Sequence, residues 1–161
     1  IFQKRSEQII TTLPANQQTD LEDKIICIHS KTSALSQTKY LQTIAESHFF
    51  LCAPGFLMPF SHNLYEAMSC GTIPIIEYNE LLNPPLINKV NCISFRGKEG
   101  LLQAVDYALK MDKETMKLMK ENVIDYYEKH LAPAAFIKKI TNQNNNITHV
   151  KIIAEEISFR K

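Results

Sequence analysis

The chain has 161 residues, 45% hydrophobic and 22% charged, which fits one globular domain with its own core. Eighteen basic against seventeen acidic side chains leave a formal charge of +1, too little to gather nucleic acid or an anionic membrane by field alone. The four glycines (Gly55, Gly71, Gly97 and Gly100) are too scattered for a G-x-G-x-x-G fingerprint or a Walker loop.

Ile1, Phe2, Ile9 and Ile10 recur at roughly helical spacing and predict a helix within residues 1–12, ended ahead of Pro14. Residues 15–23 are polar and read as a surface loop. Residues 24–29 (KIICIH) are a short β-branched apolar run, the pattern of a strand buried on both faces. Residues 36–47 place Tyr40, Leu41, Ile44 and Ala45 on one helical face, with a start near Ser36 or Thr38. A second strand follows at residues 49–52, then a loop marked by Pro54, Gly55 and Pro59.

Ser61 or Asn63 is placed to cap a helix carrying Leu64, Ala67 and Met68, which Gly71 ends. Residues 73–77 form a third strand, with Pro74 near its start, where a missing donor is tolerable. Asn83-Pro84-Pro85 breaks the chain before a fourth strand at residues 91–95. Two helices are expected next, over residues 100–111 and 113–130, on stripes that include Leu101, Val105 and Ala108, then Met119, Val123 and Tyr126. These elements make residues 1–141 one domain. Residues 142–161, amide-rich at first, are a tail with no assigned structure.

Alternating strands and helices, with uninterrupted apolar strands, predict an α/β fold: a Rossmann-like three-layer sandwich around a mostly parallel sheet. In such sheets the strand-to-helix loops gather at the carboxyl edge, where ligands bind. The loops to watch are residues 29–37, 53–63, 77–85 and 96–100.

Cys27, Cys52, Cys70 and Cys92 form no C-x-x-C pair, which removes zinc-finger and redox-motif chemistry. Cys27, Cys52 and Cys92 lie in apolar runs and are expected as reduced core residues. No run reaches the ~18–20 apolar residues of a membrane span, and no signal peptide opens the chain. The expected location is therefore cytoplasmic, or peripheral to a membrane. Asn146-Ile147-Thr148 matches a glycosylation acceptor.

The most informative stretch is SHFFLCAPG at residues 47–55, followed by SHNLYEAMSCGTIPII at residues 61–76. It resembles the donor-nucleotide half of GT-B glycosyltransferases. The closest match is the exostosin-like group, with its S-x-F-C-L-x-P-x-G, E-A-L/M and G-x-I-P-V-I pattern. The resemblance covers about residues 40–95. It implies one Rossmann-like half of a two-domain transferase, binding a UDP- or GDP-sugar for transfer to a carbohydrate acceptor in polysaccharide biosynthesis. No metal is obligatory there, and no nucleic acid is a partner. The catalytic base would come from a further domain expected upstream of Ile1.

The resemblance also implies site residues. Ser61, His62 and Asn63 would direct amides at the diphosphate from the helix start. Glu66 would accept the ribose hydroxyls, and Gly55 would allow a close backbone approach. Lys31 and Arg96, following strands on that edge, could meet phosphates, whereas Glu77 and Tyr78 could touch the sugar or base. A plainer alternative for Glu66 is a capping box with Asn63. The second match is the general retaining group of these enzymes, with its E-A-M-A-x-G-x-P-V-I helix; Met58 stands where that group has a second glutamate, eight positions before the one matched by Glu66, and Asn63 where the exostosin-like group has an arginine. A non-catalytic interaction or scaffold domain is the alternative function. A phosphate-receiver domain fits poorly, because the first strand ends in His29-Ser30-Lys31 rather than an acidic cluster.

Overall fold

The computed structural model describes residues 9–11, 13, 24–29, 31, 33–54 and 59–141. Among them are five α-helices and five parallel strands in two small sheets, an α/β arrangement. β1 (Ile9–Ile10) pairs with β2 (Ile25–Ile26) in one sheet, and Cys27 N–H extends the ladder to the Ile10 carbonyl at 2.8 Å. The helix expected here is therefore replaced by strand at Ile9–Ile10. Two adjacent β-branched side chains are stiff and suit extended backbone once a partner strand is alongside. Thr11 is a bend, and residues 1–8 and 12 of that expected helix, the loop at residues 15–23 and the tail lie outside the described residues.

The second sheet runs β3 (Phe49–Cys52), β4 (Ile73–Ile76), β5 (Ile93–Ser94), with β4 central. All four residues of β4 are buried, as its apolar run requires. Pro74 fits inside it for a geometric reason. Ile73 donates toward β3, to the His48 carbonyl at 3.1 Å, so the next residue faces β5. β5 begins only opposite Ile75, and the donor that Pro74 lacks has no ladder to join. β3 is an edge strand with Leu51 exposed, not the doubly covered strand its sequence suggests.

The helices follow local signals more closely. α1 (Gln37–Glu46) is capped by Ser36, whose Oγ accepts from Lys39 N–H. α3 (Gly97–Leu109) starts three residues earlier than its apolar stripe predicted. α4 (Lys113–Tyr126) is capped by Asp112, which accepts from both the N–H and the hydroxyl of Thr115. Those bonds hold the Asp112 carboxyl below its usual range. A π-helical turn (Tyr127–Leu131) then carries the chain into α5 (Pro133–Thr141), where no expected element lay.

α2 (His62–Ser69) connects β3 to β4 and buries Leu64, Ala67 and Met68. Its end is a Schellman motif: Thr72 N–H reaches the Ala67 carbonyl and Gly71 N–H the Met68 carbonyl, both at 3.0 Å. Gly71 has φ +71°, and a Cβ there would lie 3.0 Å from the Ile124 side chain of α4. The buried Thr72 hydroxyl then donates to the Ile44 carbonyl of α1 at 2.7 Å. Hence one turn ends a helix, opens the central strand and fastens a second helix. Ile73, Ile76, Cys92, Ile93, Ala104, Met119 and Val123 complete the core.

Gly71→Ala combines a left-handed backbone with that close contact and is expected to cost about 1–2 kcal/mol in urea unfolding. A loss of only a few tenths would contradict the motif. The cysteines separate in a second way. Cys52 and Cys92 are buried, which pushes both thiols up to about 12, whereas Cys27 is exposed, against the sequence expectation. At pH 8 a thiol reagent should label Cys27 in the folded chain and reach Cys52 and Cys92 only after unfolding. The two protonated thiols should also make stability fall as pH rises from about 9 towards 12, since the unfolded chain loses its protons first.

Candidate functional site

Parallel strands put their carboxyl ends together, here Cys52, Ile76 and Ser94, and the loops that follow form one rim. α2 opens at this rim directly after the β3 loop. Ser61 is its N-cap, with extended backbone (φ −110°, ψ 167°), yet its side chain makes no capping hydrogen bond. The starts of α1 and α4 are covered by Ser36 and Asp112, so α2 differs in leaving its first amides without a side-chain cap. Asn63 is the second residue inside the helix, and Glu66 stands five residues past the cap. The capping-box alternative for Asn63 and Glu66 is thereby excluded, because it needs the glutamate three residues after the cap.

Glu66 lies one turn into α2, on the side where Tyr40 of α1 approaches. Burial, then the charge of the Glu66 carboxylate and a side-chain hydrogen bond to it, push the Tyr40 phenol up to about 12. The Tyr40 ring is fixed edge-on against Phe50 of β3, with centroids 6.5 Å apart. Tyr40 Oη, Ser61 Oγ and Glu66 Oε2 are all buried; the phenol and the carboxylate face each other, while Ser61 Oγ has no hydrogen-bond partner. Such an unpartnered atom costs about 1–3 kcal/mol unless something satisfies it. His62 Nε2 stands 4.0 Å from Glu66 Oε2, while the rest of its ring is open to solvent. The rim thus offers an acceptor-only carboxylate, a phenol able to donate, a hydroxyl able to do either, and helix amides suited to an anion.

The other expected residues sit elsewhere on the rim and are engaged with one another. Glu77 follows β4, and its Oε1 accepts Gly97 N–H at 2.9 Å, capping α3 from another loop while the N-cap Arg96 gives no side-chain cap. Arg96 pairs with Glu80, donates to the Phe95 carbonyl at 3.0 Å and lies 5.5 Å over the Tyr78 ring. The Glu80 carboxyl is held low by a backbone hydrogen bond first and by Arg96 second. Lys31 is exposed in a turn after β2 and has no ion pair with the Glu66 group among the described residues. Gly55 and Met58 lie outside the described residues.

Tyr40 is the residue that sequence reading placed only in a hydrophobic stripe. The available signal was chemical: a tyrosine turned inward needs a partner for its hydroxyl. A separate open groove of about 730 Å³ runs between the β5 edge and α3, lined by Asn88, Lys89, Phe95, Gln103 and Tyr107. Lys89 lies 4.8 Å over the Tyr107 ring there. Among the described residues, no three His, Cys, Asp or Glu side chains group closely enough to hold a metal ion, and no helix is long and apolar enough to cross a membrane.

Removing the Glu77 cap tests its assignment. Glu77→Ala should cost about 0.5–2 kcal/mol in denaturant unfolding through the start of α3. Unchanged stability would show that Glu77 does not hold that helix.

No protein-family model and no curated protein matches this chain, so its chemistry rests on the residues of the rim.

Proposed function

We propose that the chain is the donor-binding domain of a glycosyltransferase, a Rossmann-like half that holds a UDP- or GDP-sugar where β3 meets α2. One observation carries this reading: the half-buried Glu66 carboxylate stands beside a helix start that has no side-chain cap, with His62 Nε2 4.0 Å from its Oε2. A carboxylate so placed can accept both hydroxyls of a ribose, and the amides after Ser61 can face the diphosphate. As the glycosyl bond breaks, charge grows on the departing diphosphate, and amides fixed in advance stabilise it without reorganisation. The sugar would pass to a carbohydrate acceptor held by another domain, which would also supply the base. The motif of residues 47–76 agrees in residue order with this use.

A second reading, a scaffold domain derived from the same fold, is favoured by one specific observation. Arg96, the expected phosphate cation, is tied to Glu80 and Tyr78. Thermal melting with millimolar UDP, GDP and their sugars separates the two. At tenfold excess over Kd, one nucleotide should raise the midpoint by about 3 °C or more. Glu66→Gln should abolish that rise and leave the melting of the free chain nearly unchanged. No rise with any nucleotide would support the scaffold.

A further inference from the structure

β5 ends its sheet, and the outer side of such a strand is where a further strand could pair. Phe95 N–H turns inward to the Ile76 carbonyl of β4, so the Ser94 amide and the Cys92 carbonyl face outward. Neither is open. The Cys92 carbonyl accepts from Lys89 N–H at 2.7 Å, and Ser94 N–H donates to Asn88 Oδ1 at 2.9 Å. One residue of a fourth parallel strand would make the same two bonds, donating to the first group and accepting from the second. Asn88 and Lys89 stand in a strand's place.

The loop that carries them is tied from several sides. Ile87 N–H donates to Oδ1 of the buried Asn91 at 2.7 Å, and the Ile87 carbonyl accepts from the N–H of both Val90 and Asn91. Asn122 of α4 donates to the Val90 carbonyl at 3.3 Å. Lys89 has φ +62°, a left-handed backbone that costs a lysine energy, and no other non-glycine among the described residues has a positive φ. Its ammonium lies over the Tyr107 ring, across the groove beside β5. A two-residue strand, a lysine along it and a loop filling its outer bonds all work against pairing with another chain.

We propose that residues 87–91 guard the β5 edge, and that the partner they exclude is a second copy of this chain. The edge is its own complement. Across a two-fold axis at Ile93, the Ser94 N–H of each copy would meet the Cys92 carbonyl of the other, as in an antiparallel pair. This role does not depend on nucleotide binding at the end of β3.

The test compares wild type with Asn88→Ala, which removes one bond to β5, and with Asn88→Ala/Lys89→Pro, which removes both and forbids the left-handed backbone. Sedimentation over a range of concentrations, hydrogen exchange and thermal melting are measured on each. Asn88→Ala should melt within about 4 °C of wild type, and its Ser94 amide should exchange about tenfold faster. The double variant should stay folded and its average mass should rise with concentration toward about twice that of one chain. Adding Ser94→Pro, which removes the outward donor of an edge strand, should return it to the sedimentation of wild type. A Ser94 amide that exchanges no faster in either variant would overturn the proposal, and so would freed amides with no gain in mass. Association that persists with Ser94→Pro would lie at another surface, and a double variant that does not fold would make the loop structural; either result also removes the guard.

Discussion

Two parallel neighbours, β3 and β4, cannot be joined by a tight turn, and the chain answers with a crossover through α2. That constraint determines where everything else lies. A helix that must end where β4 begins has to start where β3 finishes, so its amides and the carboxyl end of the sheet meet. The far end is secured by Gly71 and Thr72, which close the helix, enter the central strand and bind α1 within three residues. Fastening α1 there also fixes Tyr40 at its opposite end, beside Glu66. The arrangement of the rim is therefore inherited from backbone pairing at the bottom of the sheet.

Along this rim the polar groups divide sharply. After β4 and β5 they satisfy one another: Glu77 holds Gly97, and Arg96 holds Glu80 and rests on Tyr78. After β3 the fit is looser: Glu66 is met by Tyr40 and, at 4.0 Å, by His62, while Ser61 Oγ stays buried without a hydrogen-bond partner beside an uncapped helix start. A buried polar atom of that kind forfeits its hydration without recovering a bond. The contrast gives the β3 end its claim to be the functional one. It also shows why Arg96 is a poor phosphate ligand here, since it is already paired with Glu80 and rests on Tyr78.

The features legible in the sequence were those set by neighbours a few residues apart. The apolar run of β4, the stripe of α2 and the stop at Gly71 needed no knowledge of the rest of the chain, and the structure has all three. Features made by distant residues were not legible. Ile9 and Ile10 look helical until β2 is alongside them, and Cys27 sits in a core-like run that a two-stranded sheet leaves exposed. Glu77 caps a helix twenty positions later, a pairing invisible to local pattern. α5 buries none of its residues fully, so its sequence carries no strong core stripe. Of the candidate residues at this end, the motif singles out Glu66 and Ser61, whereas Tyr40 reaches them by tertiary approach from another helix.

The most direct measurement is an amide-resolved nuclear magnetic resonance titration of the whole chain with UDP and with GDP. The account expects one of them to move the amide signals of Ser61, His62, Asn63 and Tyr40, with Lys89, Gln103 and Tyr107 unaffected. Movement confined to that second groove, or a spectrum unchanged at millimolar nucleotide, would contradict it.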